Sequence, residues 1–211
     1  MPLPQGLALP DPPPLPAPPM LERLAFEQPW PVTLALLAVG LGAYLVLNAR
    51  GRPGRGGAIA GLLAILAGAH VITAVLIRTA RERMVDVASR LVDRVATGDT
   101  DGVALILLDD ARLEATRYFA QLDRDQILAR VSAQFGQGGG YQAHEHDIVE
   151  ISASRDGPGV GRVLLKVRVV PEASRVPVFS WWQLDTRAVQ PDQWRVRGIT
   201  LISVSGAGSM K

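Results

Sequence analysis

Cysteine is absent from this 211-residue chain. That excludes disulfides, thiol catalysis and thiolate metal sites, and it leaves the compartment open. Histidine is scarce: His70, His144 and His146 are the whole complement. A basic excess is missing from the C-terminal part, where 17 Lys and Arg from Arg81 onward face 17 Asp and Glu. Nucleic-acid binders concentrate positive charge on one face, so nucleic acid is not an expected partner. The pI of about 9.4 reflects arginines beside two uncharged stretches instead. The run GQGGG at 136–140 has no lysine after it and lacks the strand-before, helix-after setting of a phosphate-binding loop. Nucleotide binding is excluded on that ground, and no cofactor is expected.

Charge is also missing from Trp30 to Asn48 and from Gly57 to Ile77, and here the absence is informative. Each stretch is about 20 residues long, and at about 1.5 Å per residue a helix of that length crosses a hydrocarbon layer of about 30 Å. The chain therefore reads as a transmembrane hairpin with a polar domain attached. Its expected parts are a proline-rich disordered tail (1–29), a first span (30–48), a basic turn (49–56), a second span (57–77), a folded domain (81–205) and a flexible C-terminus (206–211). The lipid bilayer is the first expected partner. Small residues recur at spacing four, Ala38 and Gly42 in the first span, then Gly57 and Gly61, and Ala60, Ala64 and Gly68 in the second. Such rows let helix backbones approach. Trp30 and Tyr44 suit the membrane interfaces. His70 and Thr73 are the polar residues inside the second span, and an ionisable residue there is a functional candidate by default.

Arg50, Arg52 and Arg55 crowd the short turn, while the tail carries Arg23 against three acids. The positive-inside tendency places the turn in the cytoplasm and both termini outside, although Arg78, Arg81 and Arg83 pull the other way. Two spans keep tail and domain on one side in either case. Nine of the first 20 residues are proline, ending in PDPPPLPAPP. Such a run favours extended polyproline II, as a spacer or as a docking segment for a proline-recognising partner.

Past the second span, Met84, Val85, Val87, Ala88, Leu91, Val92 and Val95 share one helical face. With no proline or glycine before it, that helix is expected to continue the second span as one rod from Gly57 to Thr97. Thr97-Gly98-Asp99 ends it and caps a short helix from Thr100 to about Leu108. A strand is expected over Ala111–Phe119 and a helix over Asp123–Gln134. In Val160–Val170, Val163, Leu165, Val167 and Val169 alternate with Arg162, Lys166 and Arg168. The turn at 155–159 pairs that strand with His144–Ala153, and Val176–Ala188 and Trp194–Val204 supply two more. The expected class is α+β: the two-helix hairpin, then about three helices packed on a curved, mainly antiparallel sheet.

Two segments carry a family resemblance. LVDRVATGDTDGVALILLDDARL (Leu91–Leu113) resembles the opening of nuclear-transport-factor-2-like (NTF2-like) and SnoaL-like domains: an amphipathic helix, a Gly-Asp pair, a leucine-rich short helix and an acidic turn. FSWWQLDTRAVQPDQWRVRGITLI (Phe179–Ile202) resembles the family's closing hairpin. The resemblance covers about Met84 to Val204 and implies a cone closed by a bent sheet. The family includes enzymes, binding modules and assembly domains, so fold does not name activity. SnoaL-like cyclases imply an aspartate–histidine pair in the cavity, and no such pair maps onto this sequence residue by residue. A periplasmic subunit of type IV secretion systems is similar in plan, which implies a bacterial inner membrane with the domain outside; the second span departs from that plan.

His144, Glu145, His146 and Asp147 form the one dense titratable cluster. On a strand the two histidines share one face and the two acids the other. His144, His146 and Asp147 are the candidate acid/base residues. Two histidines at that spacing also suit a metal, yet no third ligand is apparent, so no metal is expected. Asp109 and Asp110 read as solvated turn residues. Phe179, Trp181 and Trp182 are the candidate partner-binding residues: adjacent tryptophans on a strand face opposite ways, one to the core and one to solvent or a partner. The expected function is a non-catalytic, membrane-anchored binding or assembly module, with a protein partner, a second copy or a small apolar ligand on the sheet. The alternatives are a SnoaL-like enzyme for a small apolar substrate and a sensor coupled through the long second helix.

Overall fold

The computed structural model describes residues 12–17, 29–76, 79–115, 119–136, 139, 143–172, 175–190 and 192–205. Most of the tail expected over 1–29, the C-terminus 206–211, and Ile77, Arg78 and Tyr118 lie outside the described residues. The chain divides into two compact units, Ala17–Thr79, and Met1–Pro16 with Ala80–Lys211.

The smaller unit holds α1 (Trp30–Ala49) and α2 (Pro53–Leu76). Proline is tolerated in a first turn, where its missing N–H leaves no bond unmade, so α2 starts at Pro53 and not at Gly57. Thr33 Oγ1 donates to Pro29 O at 2.8 Å and ties down the start of α1. The link between the helices reverses at Gly51, whose φ of +73° suits glycine. Both helices are long and apolar enough to cross a membrane. Leu34, Val39 and Leu41 on α1, and Leu62, Ile65 and Ile72 on α2, are exposed in the structure. The helices meet at Gly40 and Gly56, with Ala60 the member of the expected rows that lies at the contact. A Cβ on Gly40 would lie 3.4 Å from Leu63 Cβ, and one on Gly56 would lie 3.2 Å from the Tyr44 backbone, whereas Gly42, Gly57, Gly61 and Gly68 have nothing within 4 Å.

The continuous rod from Gly57 to Thr97 is not formed. Helix α2 ends at Leu76, Thr79 is not helical, and α3 begins at Ala80. The reason is legible afterwards: Thr79-Ala80-Arg81-Glu82 fits the capping-box pattern, in which a threonine opens a new helix with a glutamate three residues on.

The larger unit is an α+β domain. Its helices are α3 (Ala80–Ala96), α4 (Thr100–Ile106) and α5 (Arg124–Phe135). Its strands are β1 (Leu107–Ala115), β2 (Phe119–Asp123), β3 (Ala143–Gly157), β4 (Val160–Pro171), β5 (Val178–Gln190) and β6 (Gln193–Val204). They form one sheet in the order β2-β1-β6-β5-β4-β3. Only β1 against β6 is parallel; the other neighbours are antiparallel. Strand β1 starts at Leu107, earlier than expected, because Leu107 is already extended and its N–H closes α4 onto Val103 O. The separate strand β2 departs from the expected single strand over Ala111–Phe119, since five residues before a helix cap carry little alternation.

Local chemistry explains the helix ends. Gly98 turns at φ +69°, Asp99 caps α4 by accepting from the Gly102 N–H at 2.8 Å, and Asp123 and Gln126 form a complete capping box on α5. Met84, Val87, Ala88 and Leu91 of α3 pack against Val163, Leu165, Val167, Leu184, Val196 and Ile199 of the sheet. Gly161 belongs to the same seam: an added Cβ there would overlap the Met84 sulfur and lie 2.8 Å from Ser154 O.

Candidate functional site

Strand register sorts the candidate residues onto two faces. Val163 pairs with Leu184 and Leu165 with Trp182, and all four join the core under the helices. The intervening pairs, Leu164 with Gln183, Lys166 with Trp181 and Arg168 with Phe179, point to the opposite, outer face.

The titratable cluster divides as its alternation requires. Glu145 and Asp147 both hold Arg168 from the neighbouring strand, at 2.8 Å and 2.5 Å. The hydrogen bond that Arg168 donates to Asp147 is the main reason its guanidinium is held above its ordinary range. His146 turns the other way, toward the helices, and its Nε2 lies 3.1 Å from Asp93 Oδ1 on α3. No local pattern signals this aspartate–histidine pair, because 53 residues separate its members. His144 is exposed and without a hydrogen-bond partner among the described residues. Three candidate acid/base residues thus part company: Asp147 is in an ion pair on the outer face, His144 is in solvent, and His146 has a carboxylate. The pair is itself open, with side chains 28% and 67% exposed for His146 and Asp93. Asp109 and Asp110 lie in β1 and not in a turn, and Asp110 makes an exposed ion pair with Arg197 at 2.8 Å. Among the described residues, no group of three or more His, Asp or Glu side chains could hold a metal.

The aromatic candidates behave differently from the expected open patch. Trp182 packs on the core and donates its indole N–H to Ser180 Oγ at 2.7 Å. Phe179 is half-buried, with its backbone N–H donating to Ser205 Oγ at 2.8 Å. Trp181 faces outward, yet it is only 2% exposed. Leu164 and Val170, on the same face of β4 as its register partner Lys166, are buried as well, although neither belongs to the core under the helices. Lys166 Nζ stands 5.2 Å from the Trp181 ring centroid, within cation–π range. Trp181 Nε1 and the hydroxyl of its register partner Ser203 are both buried without a hydrogen-bond partner. The outer face is therefore apolar and buried at its centre, with the half-buried Lys166 and Arg168 beside it.

This architecture is found among solved structures. An NTF2-like protein from Cytophaga hutchinsonii is similar over 60% of this chain and 99% of its own, at 12% identity and a TM-score of 0.50. The domain has an NTF2-like fold. A cystatin-like-fold protein from Nostoc punctiforme is similar over 59% of this chain and 90% of its own, at 10% identity and a TM-score of 0.49. An NTF2-like protein with a cystatin-like fold from Novosphingobium aromaticivorans is similar over 61% of this chain and 83% of its own, at 16% identity and a TM-score of 0.49. No family model matches the sequence, and no curated protein matches it. Identities this low speak to fold alone.

Proposed function

We propose that this chain is a membrane-anchored binding module: α1 and α2 cross the bilayer, and the NTF2-like domain engages a protein partner through the outer face of β4 and β5. The observation that carries the anchor is the exposure of large apolar side chains around both helices, with Leu34 at 61% and Ile65 at 70%. At about 25 cal/mol per Å² of apolar surface, leaving such helices in water is costly, and lipid removes that cost. Their uncharged length supports spanning rather than lying on the surface. The arginine-rich turn at Arg50, Arg52 and Arg55 favours a cytoplasmic turn, hence a domain on the outer side of the membrane. Two buried polar atoms at Trp181 and Ser203 support the outer face as the recognition surface, because a partner that pairs them relieves an unmet hydrogen-bond demand of about 1–3 kcal/mol each. Alkaline carbonate extraction of membranes tests the anchor. The chain should remain in the pellet and float with lipid; release into the supernatant would refute the reading.

A second reading, an enzyme acting on a small apolar substrate, is favoured by the Asp93–His146 contact. A carboxylate beside an imidazole orients it as a general base. The pair lies open to water, however, whereas such chemistry gains from a dry, closed site. Turnover of a panel of small apolar esters and ketones separates the two. The enzyme reading requires activity that Asp93→Asn abolishes without changing the melting temperature; the binding-module reading expects no turnover from either protein.

A further inference from the structure

Trp181, Leu164 and Val170 are buried on a face where no helix of the domain packs, since α3, α4 and α5 share the other face. A cover is required, and the chain carries one of matching chemistry. Residues 12–16 belong to the same compact unit as the domain although some 65 residues of chain, including both apolar helices, intervene. Within that segment Pro12 and Leu15 are half-buried, whereas Pro13, Pro14 and Pro16 are exposed. Spacing three is the repeat of a polyproline II helix, so one edge of the segment is covered and the others face water. Proline-rich segments dock on aromatic grooves because their backbone is extended before binding and loses little entropy.

We propose that residues 12–16 of this chain are an internal ligand of the outer sheet face. Pro12 and Leu15 lie across Leu164 and Trp181. The tail and the domain share one side of the membrane, because two spans bring the chain back to the side it left. On the proposed function, which this last step rests on, the tail competes with the partner: the face opens only when the proline segment lifts off. The tail's seat on the sheet stands or falls separately from that function.

Photo-cross-linking of the full chain in lipid nanodiscs tests the seat. A benzophenone amino acid replaces Leu15, and peptide mapping locates the adducts. Adducts should concentrate on the outer faces of 162–170 and 178–187 within one chain. Pro12→Asp, which puts a charge on the covered edge, should lower their yield several-fold, whereas Pro13→Asp, on the exposed edge, should leave it unchanged. Adducts mainly in α1, α2 or lipid, or a yield indifferent to Pro12→Asp, would overturn the proposal. Adducts joining isotopically heavy to light copies would overturn the intramolecular form. Carbonate extraction of the same variants reports on the anchor independently.

Discussion

Gly161→Val tests how α3 seats on the sheet. The first atom added at Gly161 would overlap the Met84 sulfur and come 2.8 Å from the Ser154 carbonyl oxygen. Met84 is fully buried, so its flexible side chain has no empty space to enter. Ser154 O is backbone on the paired strand β3 and cannot retreat without disturbing the ladder. Overpacking of this kind costs about 1–3 kcal/mol. Met84→Ala makes the opposite error: it empties the site and costs about 2–5 kcal/mol. The two errors share one volume, so the double variant should be less destabilised than the sum of the singles by at least about 1 kcal/mol. Compensation stays incomplete because the Ser154 carbonyl is still crowded. The assay is unfolding of the full chain in detergent micelles, followed by near-ultraviolet circular dichroism of the tryptophans. For a domain of this size each kcal/mol moves the midpoint by roughly 4 °C. A neutral Gly161→Val, or strict additivity, would refute the packing described for α3 on β4.

Three further outcomes follow from local structure. Gly98→Ala should cost about 1–2 kcal/mol, because φ is +69° and the added carbon would meet the Phe135 carbonyl; an unchanged melting temperature would contradict it. Asp99 accepts from Gly102 N–H and Arg94, which hold its carboxyl below the usual carboxylate range. A depressed carboxylate stabilises the fold fully above the unfolded pKa and ceases to do so as pH falls through the lower folded value. Asp99→Asn keeps a capping side chain without the charge, so its melting deficit should be constant from pH 7 to about 5 and shrink below about 4. Asp123→Ala removes the capping box of α5 and should lower stability by about 1 kcal/mol, measured by thermal melting.

Much of this fold was legible because its signals are local. Alternation from Val163 to Val169, the apolar face from Met84 to Val95, and the Gly98–Asp99 punctuation each need only a few neighbouring residues to be read. The interruption between α2 and α3 was also local, in the Thr79–Glu82 pattern, but uniform apolar and helix-forming character on both sides masked it. The site was less legible because it is assembled over distance. Strand alternation separates Trp181 from Trp182, yet it cannot say that the outward ring is covered. Nor can it bring Asp93 of α3 against His146 of β3. Small-residue spacing indicated that α1 and α2 pack, while the meeting residues, Gly40 and Gly56, depend on a helix rotation that spacing four alone leaves open.

The absence of cysteine makes the central claim directly measurable, since any introduced thiol is the only one in the chain. Single cysteines at Ile65, exposed on α2, and at Val176, exposed on the domain, can be challenged with a membrane-impermeant maleimide in sealed vesicles. A membrane-anchored domain predicts that position 65 stays unlabelled until detergent is added, whereas position 176 is labelled from one side of the bilayer only. Equal labelling of both positions in intact vesicles would contradict it.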